Sequence, residues 1–171
     1  MKFNIITIFP QIFSSYFEEG ILKRDIDKKI IKIKAHDLRS FTNDKRKTVD
    51  DTVYGGGAGM LLKIEPLYKA IKKIAKKKKT SGQKIILLSA KGKKWNQQMA
   101  QKYSKLESIT LICGRYEGVD ERIKNFIDEE ISIGDYVLTG GEIGAMAIID
   151  SVSRLLPKVL GNKESIKDES H

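Results

Sequence analysis

The stretch Leu111–Ile123, LICGRYEGVDERI, decides how this chain folds. It begins inside an apolar run, SITLIC from Ser108, that reads as a buried strand. At Gly114 the character changes at once. Two glycines, the ring of Tyr116 and the charges of Arg115, Glu117, Asp120, Glu121 and Arg122 follow directly on the strand's exit. Glycine lets a backbone turn sharply or come close to a ligand, and packing alone does not call for charges there. Two neighbouring stretches repeat the arrangement. LLSAKGKK, Leu87–Lys94, follows the apolar residues of KIILLSA, and IGDYVLTGGE, Ile133–Glu142, follows EEISIG.

Outward from these three exits, strands alternate with helices. Residues 3–9 are β-rich, and Gln11–Lys23 is expected to form one helix with Ile12, Tyr16, Phe17 and Ile21 on its apolar stripe. A strand is expected in KIIKIKAHDL, then a helix with Pro66 in its first turn and Leu67, Ile71 and Ile74 on one face, broken by Gly82. KIILLSA, SITLICG and EEISIG are strands; WNQQMAQKYSKL and DERIKNFID are helices. A mostly apolar helix from Gly140 to Leu156 is ended by Pro157. The pattern predicts an α/β domain with a mainly parallel sheet flanked by helices. In such sheets ligands bind beyond the carboxyl ends of the strands, which is where the three glycine-rich exits fall.

Composition narrows the chemistry. The chain has 171 residues, 40% apolar and 32% charged, which suits one globular domain. One cysteine, Cys113, and two histidines, His36 and His171, leave neither a disulfide framework nor a zinc cluster. No apolar run reaches membrane-spanning length, and MKFNIITIFP reads as a first strand rather than a signal peptide, so a cytoplasmic protein is expected. There is no GxxxxGK[ST] and no GxGxxG after the first strand. YGGGAGM, Tyr54–Met60, neither follows a clear strand nor opens onto a helix, so it is weak as a phosphate cradle. The net charge of +10 is uneven: residues 1–79 hold 19 Lys and Arg against 9 Asp and Glu, whereas residues 80–171 balance. A basic half beside a neutral half suggests a polyanion approaching one side, although the run Lys72–Lys79 also suits a helix carboxyl end.

DDTVYGGGAGM, GRYEGVDER, SIGDYVLTGGE and IDSVSRLLPKVLG, in that order, resemble the bacterial tRNA (guanine-37-N1) methyltransferases of the knotted SPOUT class. The resemblance runs from Phe3 to the last residues. It implies an S-adenosylmethionine-dependent enzyme acting on tRNA, a deep trefoil knot, and a homodimer with its sites at the subunit interface. It further implies that Leu88 and Ser89, then Gly114, Tyr116 and Glu117, then Ile133, Gly134, Asp135, Tyr136, Val137 and Leu138 with Gly140 and Gly141 line the cofactor pocket. The glycines are expected where a side chain would occupy the ligand's space. Asp120, Glu121 and Arg122 are read first as the opening turn of a helix, and Asp135 equally as a turn residue.

Guanine N1 carries a proton when neutral, so methyl transfer needs a base at N1 and a cation near O6. Arg154 matches the arginine that the family assigns to the cation's task. The family's basic aspartate is replaced here by Glu169, with Asp168 one residue earlier. Ala58 and Ala90 stand where proline is common. Asp50 and Asp51, with Tyr54, Gly55, Gly56, Gly57 and Gly59, are the candidates for framing the target base. Residues 1–160 are expected to form the methyltransferase domain and 161–171 a polar tail, with the family's helical tRNA-gripping domain having no counterpart. Nothing in the residues requires a metal, although Mg²⁺ is compatible with the resemblance. Two alternatives stay open: a knotted methyltransferase with another RNA target, and an RNA-binding module that keeps the fold without catalysis.

Overall fold

A computed structural model of the chain describes residues 1–52, 59–75, 82–157 and 159. In chain order its first half holds β1 (Lys2–Thr7), α1 (Ile12–Phe17), α2 (Gly20–Asp27), β2 (Lys32–Asp37), β3 (Asp50–Thr52), β4 (Met60–Leu62) and α3 (Ile64–Ile74). The second half holds β5 (Gln83–Lys94), α4 (Gln97–Tyr103), β6 (Ser108–Cys113), β7 (Glu129–Ser132) and α5 (Glu142–Ser153). Short 3-10 turns lie at Leu38–Phe41 and Glu121–Asn125.

Five strands form one sheet in the order β2-β1-β6-β5-β7, every neighbouring pair parallel. The expected α/β class is therefore the observed one. Alternation along each strand sends residues to two cores. Phe3, Ile5, Ile86, Ile109 and Leu111 meet α1, α2, α4 and α5 on one face. Ile6, Leu87 and Ile112 meet α3 on the other. No helix of the described residues is long and apolar enough to cross a membrane.

Three elements depart from the sequence reading. The single helix expected over Gln11–Lys23 is two helices, α1 and α2, separated at Gly20, whose φ of +66° is left-handed. The stripe changes with it: Phe13, Phe17 and Leu22 are buried, while Ile12, Tyr16 and Ile21 are exposed. The helix expected over Asp120–Asp128 is only the second 3-10 turn. Its continuation is stopped where Asp128 accepts from the Ile85 N–H and donates its own N–H to the Ile85 carbonyl, drawing the chain onto the sheet as β7. The short β3 and β4 form an antiparallel pair that the sequence did not suggest, so the glycine-rich stretch does follow a strand.

β5 is also longer than expected. Both Leu88 and Lys93 face Ile131 of β7, so the chain leaves the ladder between them and returns to the same partner. Gly92 makes that return: a Cβ there would come within 2.5 Å of the Ile131 nitrogen. The first glycine-rich exit is thus a loop anchored in the sheet at both ends.

Candidate active site

The three exits meet. A cavity of about 430 Å³ opens at the carboxyl ends of β5, β6 and β7, a volume suited to a small ligand. Leu88 and Ser89 line it from the first exit, and Gly114, Tyr116 and Glu117 from the second. Ile133, Gly134, Tyr136, Val137, Leu138, Gly140 and Gly141 line it from the third. Of the expected set only Asp135 is not on the wall; it is exposed at the bend between Gly134 and Tyr136. The lining mixes apolar side chains with exposed stretches of loop backbone. That combination can hold a flat, polar-edged group between apolar walls. Among the described residues no three His, Cys, Asp or Glu side chains gather as a metal would need.

The loop before α5 is stitched to the exit of β6. Gly141 donates its N–H to the Gly114 carbonyl at 2.9 Å, and Arg115 and Gly140 form an antiparallel bridge. The Arg115 guanidinium pairs with Glu142 at 2.9 Å and also donates to the Thr139 carbonyl at 3.1 Å. Glu142 is buried and accepts from the Thr7 hydroxyl at 2.8 Å, while the Phe9 N–H donates to that same hydroxyl at 3.0 Å. The Phe9 ring lies against Arg115, 4.7 Å from guanidinium carbon to ring centre. Residues from β1, from the β6 exit and from the start of α5 therefore share one polar network. A buried charge is tolerated when it is paired and hydrogen-bonded in this way.

This network also sets the space around the paired glycines. A Cβ on Gly140 would fall 2.2 Å from the Arg115 Nε, on the ion pair. A Cβ on Gly141 would fall 2.8 Å from the Cys113 Cα and 3.0 Å from the Leu88 Cβ. At both positions a side chain would meet the protein's own strand ends, and both glycines also line the cavity. Arg115 and Glu142 are 27 residues apart, a separation at which no local pattern marks them as a pair. The one sequence signal was an acid immediately after two glycines at a helix start.

The β3–β4 pair closes one side of the cavity. Glu117 donates its N–H to the Met60 carbonyl, Leu62 to that of Gly118, and Asp120 to that of Leu62. Gly59, at φ +111°, faces the Glu117 side chain. Tyr116 takes a left-handed φ of 60°, unusual for a side chain of its size and a local strain at the cavity's edge. Burial raises the pKa of its phenol, as does the hydrogen-bonded Asp50 carboxylate, against the pull of Arg39 and Arg115. Asp50 is therefore beside the cavity, whereas Asp51 pairs outward with Lys63 at 3.6 Å. Asp120 and Arg122 pair with each other at 2.6 Å and the Asp120 carboxylate caps the 3-10 turn, which is the structural role expected of them. Glu121, by contrast, reaches the cavity wall.

Arg154 stands elsewhere. It caps the carboxyl end of α5, whose amino end touches the cavity at Gly141, so a helix of 12 residues, roughly 18 Å, separates them. Tyr54, Gly55, Gly56 and Gly57 of the glycine-rich stretch, and Asp168 and Glu169 of the tail, lie outside the described residues.

Residues 1–171 match the family model described as tRNA (Guanine-1)-methyltransferase TrmD. A tRNA (guanine-N(1)-)-methyltransferase of Dictyoglomus turgidum is 52% identical over 170 residues, covering 99% of this chain and 68% of that protein. One from Persephonella marina is 51% identical, covering 99% of this chain and 66% of the relative. The crystal structure of the tRNA (m1G37) methyltransferase from Aquifex aeolicus superposes with a TM-score of 0.85 at 46% identity, over 95% of this chain and 72% of that one. With the glycine-rich exits converging as the sequence motifs required, and the match running from the first residue to the last, the chain belongs to the tRNA (guanine-1)-methyltransferase family.

Proposed function

We propose that this chain transfers a methyl group from S-adenosylmethionine to N1 of guanine in tRNA, at position 37, next to the anticodon. The observation that carries the reading is the convergence of three strand exits on one cavity of about 430 Å³, in a chain of this family. The residues suit the cofactor: Leu88, Ile133 and Leu138 offer apolar walls, the loop backbone between Ile133 and Thr139 offers polar groups, and Glu117 offers a carboxylate. When bound, S-adenosylmethionine supplies an electrophilic methyl group.

The chain's own residues have the remaining tasks. The target base must leave its stack; we assign its framing to the β3–β4 pair, where Asp50 lies beside Tyr116. Glu169, or Asp168 in its place, accepts the N1 proton so that the ring nitrogen can attack. Arg154 faces the charge that develops at O6. Alignment of these groups provides much of the rate.

Arg154 supports reading the enzyme as a homodimer. A guanidinium one helix length from its own cavity serves catalysis only if it meets a partner's cavity. Apolar Ile12, Tyr16 and Ile143 are exposed on α1 and α5, two helices that touch each other, and such a patch suits a subunit contact. The trefoil knot and a cytoplasmic location belong to the same reading.

The test is single-turnover methylation of a tRNA transcript with guanine at position 37, followed by mass analysis of the nucleosides. N1-methylguanosine is expected. Methylation at ribose, or elsewhere in the RNA, would move the chain to another substrate. Leu138→Trp should fill the cavity without disturbing the cores, because Leu138 is exposed at its mouth. Calorimetry should then show at least a roughly tenfold weaker S-adenosylmethionine affinity. Unchanged affinity in the folded variant would place the cofactor elsewhere.

A further inference from the structure

A second groove lies at the opposite end of the sheet, about 630 Å³ in volume. Its floor is set by the register of β1 and β2, which places Lys2 beside Lys32 and Asn4 beside Lys34. Phe3, Ile5, Ile33 and Ala35 turn to the first core, so Lys2, Asn4, Lys32, Lys34 and His36 share the other face. There α3 covers the carboxyl-terminal parts of the strands through Ile6, Leu87 and Ile112. Among the described residues, no helix covers the amino-terminal ends, and Lys2, Lys32 and Lys34 are exposed. Lys73 and Phe41 form a wall, with the ammonium 5.8 Å from the ring centre.

The groove is cationic by construction. Among the described residues four lysines line it against one acid, Glu107. All four come from the basic part of the sequence, residues 1–79, and none has an acidic partner within ion-pair distance among the described residues. The carboxyl end of α3 opposes an anion with about half a charge, which four ammonium groups outweigh. His36 reports the same field: burial lowers its pKa first, and Lys34 and Lys73 lower it further. Lysines on an edge strand such as β2 also guard against aggregation. That explanation does not extend to Lys2, on an inner strand, or to Lys73, on a helix.

Strands lie about 4.8 Å apart and alternate residues about 6.6 Å, so these stems are rooted closely enough to serve neighbouring phosphates of one strand. Lysine acts there as a mobile point charge rather than a fixed fork, which suits a backbone contact that positions without reading sequence. We propose that this groove is a second RNA contact, holding the phosphate backbone of tRNA while the cavity at the other end of the sheet receives the base. The two sites are a strand's length apart, roughly 20 Å. The proposal rests on tRNA being the substrate.

The experiment measures tRNA affinity of the 171-residue chain across salt concentrations, for the unaltered protein and two variants of equal charge loss. Lys32→Gln/Lys34→Gln empties the groove floor. Lys23→Gln/Lys102→Gln removes two lysines from α2 and α4, which pack on the opposite face. The groove variant should lower the slope of log affinity against log salt by about 2 and weaken binding at low salt. The control should keep the original slope, and S-adenosylmethionine affinity should be unchanged in both. Added tRNA should also raise the pKa followed from the His36 ring protons by NMR, because a phosphate would oppose the lysine field. Equal slopes for the unaltered and groove proteins, or an equal loss in the control, would overturn the groove assignment. If the unaltered chain fails to bind tRNA at any salt concentration, the substrate reading falls along with it.

Discussion

Arg115 and Glu142 hold together segments that would otherwise drift apart at the cavity. Removing the carboxylate would leave the guanidinium, mostly buried, facing a carbonyl and a ring but no counter-charge. Glu142→Ala should therefore cost about 3 kcal/mol of stability in urea denaturation, and a double-mutant cycle with Arg115→Ala should show coupling above about 1 kcal/mol. Additive effects would mean that the pair is only adjacent. The residues of this network were hard to see in advance for a physical reason. Thr7, Arg115 and Glu142 are brought together by strand order, and no local pattern encodes which strand will lie beside which. The cavity lining was easier. Glycines directly after apolar runs mark strand exits whatever the tertiary arrangement, so Leu88, Gly114 and Gly134 are legible in the sequence. What those glycines are for was not legible: Gly141 answers to Cys113 and Leu88, and only coordinates reveal that.

Among the elements, strands were legible because parallel, doubly covered strands are nearly continuous apolar runs. Short elements were not. Three-residue strands such as β3 and β4 are below the length at which alternation becomes a signal, and Gly20 divided a helix that its composition would have continued. The two helices that result are tied to the rest separately. Tyr16 of α1 donates its hydroxyl to Asp150 of α5 at 2.6 Å, and this bond, with partial burial and the nearby charge, pushes the phenol's pKa from 10.0 up to about 12. A raised folded-state pKa stabilises the fold below the unfolded value and loses that contribution as pH rises through the folded one. The stability advantage of the unaltered protein over Tyr16→Phe should thus be constant below about pH 10 and shrink towards about pH 12. An advantage that persists unchanged to pH 12 would show that the hydroxyl contributes through packing alone.

At the scale of the whole molecule, the distance between Arg154 and its own cavity makes a prediction about shared sites. Arg154→Ala and Leu138→Trp should each be strongly impaired alone, at cofactor concentrations too low to fill the altered cavity. In the proposed homodimer, the two variants mixed and allowed to exchange subunits should recover up to about a quarter of normal methylation, since half the dimers would be mixed and one of the two sites in each intact. A mixture as inactive as its parts would mean that each protomer completes its own site. The strand order has a further consequence, in time rather than space. β1 sits between β2 and β6, yet about seventy residues separate the end of β2 from the start of β6. At synthesis rates of 5–20 residues per second, the first strand waits roughly 4 to 14 s on the ribosome with one hydrogen-bonding edge unpaired. During that interval Phe3 and Ile5 have only β2, α1 and α2 to cover them. The nascent chain is therefore most exposed to aggregation before the second and third cavity loops have been made, and slower elongation through residues 38–107 would lengthen that exposure.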